Sequence, residues 1–470
     1  MRPWHPGTDR LVRGLDPTNL RRELVLDILG GAGSRGASGA AFRSARIASL
    51  VAGLVARSSL TAVRARFDGD AAGLRRESRA RNADSLRATL GGMKGGALKA
   101  GQLLSTVDSL FPPDPDRTWT EALTTLQETN PPLGWAEVEP VLRRGLGARW
   151  RDSLVEIDTV AVAAASLGQV HRGTWRDGRA VAVKVQYPFA KDVLLADLRA
   201  LSVSLRLAGV VLPGLLAAPV VDELRLRAGE ELDYGHEARA QRAVAAAFAG
   251  SSEYAVPDVV AAADGVLVSE WLPGRPLVTV AGDTEVERRR VASLYQGFAL
   301  LAPARAGWLH ADPHPGNFRV TPDGRLGVVD FGAVVAMPDG LPPAFGRLVR
   351  AFADESAAGD AQAALVAAGL IRPGRRVDIE SLRAVMSPFS EPARHDVFAF
   401  SPSWLRSCFA RDEAARDPDY TAAMGLTLPA EHLMTQRVWL GVIGVLCRLD
   451  VTLPVRPVLS ELLPGFDVRG

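Results

Sequence analysis

Two short segments carry the residue types that phosphoryl transfer requires. Trp308 to Phe318 reads WLHADPHPGNF, and Val328 to Gly332 reads VVDFG. Moving a phosphoryl group takes one carboxylate to orient the attacking hydroxyl. It also takes amide and carboxylate oxygens to hold magnesium on the phosphates. Asp312 is followed five residues later by Asn317, and Asp330 opens the second segment after three apolar residues. His310 stands two positions before Asp312. The chain has only four asparagines, Asn19, Asn82, Asn130 and Asn317, so an amide at the required spacing is informative.

The order H-x-D-x-x-x-x-N and then D-F-G is that of a kinase catalytic loop and its metal-binding aspartate. Either fragment arises by chance; both in order form a specific signal. Such a site also needs a lysine on a strand to grip phosphates, and a glutamate to orient the lysine. Val181 to Val185 reads VAVKV, with Lys184 between apolar neighbours, and Glu237 in the helical stretch ELDYGHEA is the candidate partner. An unpaired lysine in such a strand is costly. Lysine is also scarce: Lys94, Lys99, Lys184 and Lys191 are the four, and the other 51 of the 55 basic residues are arginine. Where lysine survives, a compact ammonium is favoured over a planar guanidinium. No G-x-G-x-x-G precedes Lys184. In its place stand Ala163, Ala164, Ala165 and Ser166, an alanine-rich turn stiffer than glycine would allow. After Gly332 there is no A-P-E, and Ala311 replaces the arginine of H-R-D.

The elements that must position these residues are readable in outline. Short valine- and alanine-rich runs from Val155 to Val185, broken at Gly173 and at Asp177-Gly178, predict antiparallel strands with tight turns. Strand signals return at Gly265 to Trp271 and at Leu326 to Val329. Residues 192–250 read as mostly helical, and Leu207 to Val221, interrupted by Pro213 and Pro219, reads as a buried helical hairpin in preference to a membrane-inserted segment. Beyond Leu341 the pattern is helical to the end, with Val438 to Leu446 as a buried helix.

At 470 residues, 47% hydrophobic and 23% charged, the chain predicts a globular protein of two or three units. Cys408 and Cys447 are too few for a disulfide scaffold or a cysteine-rich metal site, which favours a reducing compartment. Pro313 and Pro315 break the helix that a His310/His314 zinc pair would need. A net charge of +2 gives no reason to expect nucleic acid. Residues 1–90 hold a surplus of eight positive charges. They contain a flexible stretch from Gly30 to Ala41 and an apolar stripe at Ile47, Leu50, Val51, Leu54 and Val55 flanked by arginines. That stripe either lies on an anionic membrane surface or docks on the protein. That stripe and Val438 to Leu446 are too short to span a bilayer, and the chain does not open with a charged-then-apolar signal.

Taken together, the motifs resemble those of the UbiB/AarF-like atypical kinases. KxGQ is matched by Lys99-Ala100-Gly101-Gln102, and the alanine-rich loop by Ala163 to Ser166. VAVKVQYP is matched by Val181 to Pro188, and ExD by Glu231-Leu232-Asp233. HADPHPGN and DFG complete the set, and the resemblance covers most of the chain from about Arg43. It implies a two-lobed protein-kinase-like α+β fold with an N-terminal helical extension and a mostly helical C-lobe. Residues 1–90 would be the basic region, 91–150 the KxGQ extension, 151–271 the N-lobe and 272–470 the C-lobe.

The resemblance further implies ATP and Mg2+ as cofactors. Lys184, oriented by Glu237, would hold phosphates, and Ala163 to Ser166 would cover them. Glu270 and Leu272 would meet adenine through their backbone, and Asn317 and Asp330 would bind the metal. Asp312 would orient the nucleophile. Lys99 and Gln102 would act from a segment folded over the site, held there by Glu231 and Asp233. Many bacterial members end in transmembrane helices, which this chain lacks. The expected place is therefore cytoplasmic or peripheral on the inner face of a membrane, with anionic lipid, prenyl-lipid or lipid-biosynthetic enzymes as partners and isoprenoid-quinone metabolism as the setting. A pseudokinase scaffold and a small-molecule kinase of the aminoglycoside or choline type are the alternatives.

Overall fold

The computed structural model describes residues 132–164, 167–191, 231–354, 359–414 and 429–467, parts of 222–230, and residues 81 and 426. The expectations for the basic N-terminal region, Lys99, Gln102, Ala165, Ser166 and the stretch 207–221 lie outside these residues.

The chain enters through α1 (Trp135–Leu146) and lays down β1 (Leu154–Ile157), β2 (Ala163–Ala164), β3 (Gly168–Trp175) and β4 (Ala180–Gln186). After α2 (Tyr234–Ala247) come β5 (Tyr254–Ala255), β6 (Val259–Ala263) and β7 (Val266–Glu270). The first sheet is antiparallel in the order β1-β3-β4-β7-β6, with β2 paired to β3. Its two faces are set by the period-2 pattern of β4. Val181, Val183 and Val185 are buried on one face with Val266, Val268 and Trp150, covered by Val138, Val141 and Leu142 of α1. Lys184 therefore projects from the opposite face, in the same register row as Leu267, and α2 packs there through Tyr234 and Ala238.

Asp177 and Gly178 make the expected tight turn between β3 and β4, with Gly178 at φ +86° and its N–H bonded to the Trp175 carbonyl. Gly173, expected as a break, instead lies inside β3. A Cβ there would come within 2.7 Å of the Glu156 carbonyl oxygen, so the missing side chain lets β1 cross close at its bulge.

The second lobe is built on β8 (Arg275–Pro276), α3 (Glu285–Ala306), β9 (Trp308–His310), β10 (Phe318–Val320), β11 (Leu326–Val328) and β12 (Val334–Ala336). Then follow α4 (Pro343–Ala353), α5 (Ala361–Ala367), α6 (Ile379–Ser390), β13 (Val397–Phe400), α7 (Pro402–Ala414), α8 (Ala430–Leu449), β14 (Val451–Pro454) and α9 (Arg456–Leu462). The main core gathers Tyr295 and Phe298 of α3, Phe318, Phe331 and the apolar face of α8. The end of the chain is not wholly helical as expected: β13 and β14 pair as an antiparallel ribbon, Phe398 opposite Leu453. Phe398, Phe400 and Leu453 are buried along it, an alternation that only four residues per strand express.

Candidate active site

The geometry of the catalytic segment follows from one short ribbon. In β10 and β11, Phe318 faces Val328, and the next rung is the Val329 N–H donating to the Asn317 carbonyl at 2.9 Å. Asn317, on that rung, and Asp330, next after Val329, thus emerge together at the end of the ribbon. Asn317 also closes the loop on itself, its Nδ2 donating to Asp312 Oδ2 at 2.7 Å and to the Asp312 carbonyl at 3.2 Å. The motif spacing places the three residues in one cluster.

Asp330 takes a left-handed backbone, φ +65°, which a non-glycine residue adopts at a cost. His310 is one restraint that holds it. The ring is buried, and its Nε2–H donates to the Asp330 carbonyl at 2.8 Å. Burial depresses the His310 pKa, so the ring is neutral and the proton sits on Nε2. The Gly332 N–H donates to Asp330 Oδ1 at 3.0 Å as a second restraint.

From the other lobe, Lys184 reaches across the cleft. Its Nζ donates to Glu237 Oε1 and Oε2 at 2.7 and 3.0 Å, and to Asp330 Oδ1 at 2.9 Å. The strand carrying it is central in the sheet, so the lysine is no edge-strand solubility charge. Exposure falls from 40% at Asp330 to 15% at Lys184 and 3% at Glu237. Burial opposes the ammonium charge, but Asp330 and Glu237 outweigh it and hold Lys184 above the usual lysine range. Burial would raise Asp330 as well; Lys184 overcomes it and brings that carboxyl down to about 2. Glu237 is pushed up, chiefly by its deeper burial. Its oxygens nevertheless accept from Lys184 and from the Phe331 N–H at 3.2 Å, the all-acceptor pattern of an ionised carboxylate.

The remaining expected residues fall around this cluster. Ala163 and Ala164 form β2, exposed beside Gln169 and Val170 of β3. Glu270 ends β7, and Leu272 starts the connection between lobes, its side chain against Gly327 of β11. Glu231 lies just before α2, its N–H on the Arg227 carbonyl. Asp233 is the N-cap of α2, accepting from the Gly235 N–H at 2.8 Å, so it starts the helix that presents Glu237 one turn later.

Sequence reasoning missed two residues. Arg437 of α8 extends its guanidinium to 3.4 Å from Asp312 Oδ1, and the Tyr295 hydroxyl of α3 donates to the Pro313 carbonyl at 2.5 Å. Neither belongs to a local motif, and 125 residues separate Arg437 from Asp312.

The donor set fits magnesium on a polyphosphate. Asp330 is ionised and spends Oδ1 on Lys184 and Gly332, and Asn317 spends its amide N–H on Asp312, which leaves Asp330 Oδ2 and Asn317 Oδ1 for a cation. Among the described residues no cluster of three or more His, Cys, Asp or Glu forms a free-standing metal site. A site of this kind completes its shell with phosphate oxygens and water.

Comparison with known proteins decides the family. A model of the ABC1 atypical kinase-like domain matches residues 125–361, half of the chain. The chain belongs to the ABC1 atypical kinase-like family. This bears out the resemblance read from the motifs, and with it the two-lobed kinase-like fold. Curated ABC1 relatives include the mitochondrial atypical kinase coq-8 of Caenorhabditis elegans, 30% identical over 259 residues. That match covers 54% of this chain and 34% of the relative. The mitochondrial atypical kinase COQ8 of Saccharomyces cerevisiae is 28% identical over 257 residues, covering 54% of this chain and 50% of that one. Matches to other curated relatives likewise span 46% and 35% of their length. A solved structure of Rv3197 from Mycobacterium tuberculosis, in complex with erythromycin, aligns with a TM-score of 0.63 at 37% identity. It covers 84% of this chain and 98% of that one. Among the described residues no helix is long and apolar enough to cross a membrane.

Proposed function

We propose that this ABC1-family chain binds Mg–ATP in the cleft between its lobes, cleaves or transfers the γ-phosphoryl group, and supports isoprenoid-quinone or other prenyl-lipid metabolism at a membrane surface. The observation that carries the reading is the ion chain Glu237–Lys184–Asp330 across the cleft, with the Asn317–Asp312 pair beside it. Lys184 grips the α- and β-phosphates in the orientation Glu237 imposes. Asn317 and Asp330 hold magnesium, whose charge neutralises the phosphate oxygens. Asp312, steadied by Asn317 and Arg437, orients the nucleophile. Ala163 to Ser166 cover the phosphates, and the backbone of Glu270 and Leu272 meets adenine at the hinge.

On this reading residues 151–271 and 272–470 are the lobes. Residues 91–150 are the family extension, which brings Lys99 and Gln102 over the cleft where a peptide would otherwise enter, with Glu231 and Asp233 holding it. ATP is then hydrolysed or its phosphoryl group passed to a small acceptor, and lipid-biosynthetic enzymes are the protein partners. The basic surplus of residues 1–90 favours an anionic lipid surface, at about 1 kcal/mol per basic residue.

The test is magnesium-dependent ATP turnover by the purified chain, with and without anionic vesicles, for the wild type, Asp330→Asn and Lys99→Ala. We expect turnover that rises with vesicles and changes in Lys99→Ala. It should fall about a hundredfold or more in Asp330→Asn, the scale of losing one charged group from a water-poor site. Nucleotide binding without turnover in any of these conditions would contradict catalysis and favour a scaffold.

A further inference from the structure

The larger lobe holds an apolar cavity that the nucleotide site does not use. It is enclosed chiefly by α3, α4, α8 and α9 and contains about 570 Å³ of unfilled space, part of it open to solvent. Leu300, Phe345, Val438, Trp439, Val442 and Leu446 supply much of the wall, and no charged side chain lines it. Besides the Trp439 indole, its polar side chains are Gln296 and Thr435. Thr435 is 3% exposed, and its hydroxyl has no hydrogen-bond partner among the described residues. A hydroxyl withdrawn from water and left unpaired is a standing cost to folding, and calls for a partner from outside the chain.

We propose that this cavity binds a medium-chain hydrocarbon ending in one uncharged hydrogen-bonding oxygen, with that oxygen on Thr435 and the chain along the apolar wall of α8. The apolar wall selects the hydrocarbon. The single orphan hydroxyl selects one oxygen, and the missing cation rejects a carboxylate or phosphate head, which would be buried unpaired. The cavity runs along the two helices that restrain the catalytic loop. Gln296 follows Tyr295, which holds the Pro313 carbonyl, and Thr435 precedes by two residues Arg437, which reaches Asp312.

Calorimetric titration of the full chain with 1-octanol tests the site, independently of any ATP chemistry. The wild type should bind in a single saturable event. Thr435→Val keeps the shape and removes the oxygen, and should weaken binding about fivefold to tenfold, the worth of one buried hydrogen bond. Octanoate at neutral pH should bind at least about tenfold more weakly than the alcohol. Val442→Phe, which fills the cavity, should abolish binding while circular dichroism reports a folded chain. Should that variant unfold, the Thr435→Val and octanoate arms decide the matter. No saturable binding, octanol affinity unchanged in Thr435→Val, or equal affinity for octanoate would each overturn the proposal.

Discussion

Lys184 shows how much a single buried charge determines. Its ammonium sits between a carboxylate that is almost fully buried and one that borders the cleft, and the buried member depends on it most. Lys184→Met should destabilise the protein by about 3–5 kcal/mol, because Glu237 is left as an unpaired internal charge. Lys184→Met/Glu237→Gln should recover most of that loss in urea unfolding, though not the activity. Equal losses in the two variants would show that the pair is not what the fold depends on. Two sets of groups with lowered values, the histidines and Asp330, give a pH dependence of one sign. His310 and His171 are both held below the ordinary histidine value of about 6.5, foremost by burial. They bind protons more readily unfolded, so stability is full above that value and declines as pH falls below it. Asp330, held at about 2, adds a loss only below the unfolded carboxylate value of about 3.9. Urea unfolding of His310→Gln between pH values of about 7.5 and 5 should show a shallower decline than the wild type; an unchanged slope would assign the decline elsewhere. At this scale the motifs were legible because Asp312, Asn317 and Asp330 lie close in sequence. Arg437 was not, since nothing local marks an arginine in a chain so rich in them.

The elements explain why such residues meet. Alternation in β4 sends three valines to α1 and leaves Lys184 facing α2, so the hydrophobic register of one strand aims the lysine. Leu142 of α1 is fully buried against that valine face. Leu142→Ala should cost about 2–5 kcal/mol, as a buried leucine truncation does. A smaller loss in thermal or urea unfolding would mean that α1 is not integral to the sheet's packing. The V-A-V-K strand, the Asp177-Gly178 turn and the long α8 are all readable from pattern. Gly173 misleads because a glycine needed for close strand approach looks the same in sequence as one that ends a strand. The β13–β14 ribbon escapes for a related reason: four-residue alternations, 50 residues apart in the chain, carry too little period to stand out among helices.

For the whole molecule, the two lobes contribute complementary halves of one charge arrangement. The smaller supplies the cation and its buried counter-ion, while the larger supplies Asp330, Asn317 and the loop that orders Asp312. The sequence made the existence and order of the lobes legible, because each carries its motif within a contiguous stretch. It did not reveal the restraints α3 and α8 place on the catalytic loop, which exist only once the lobe has packed. The central claim is that this arrangement is completed by magnesium and ATP. The most direct measurement is ATP affinity of the wild type and Asp330→Asn, with Mg2+ and with the metal chelated. The account predicts that Mg2+ tightens ATP binding by about tenfold or more in the wild type, the scale of a designed metal contact, and that Asp330→Asn loses this gain. ATP affinity indifferent to magnesium, or a gain that survives in Asp330→Asn, would contradict it.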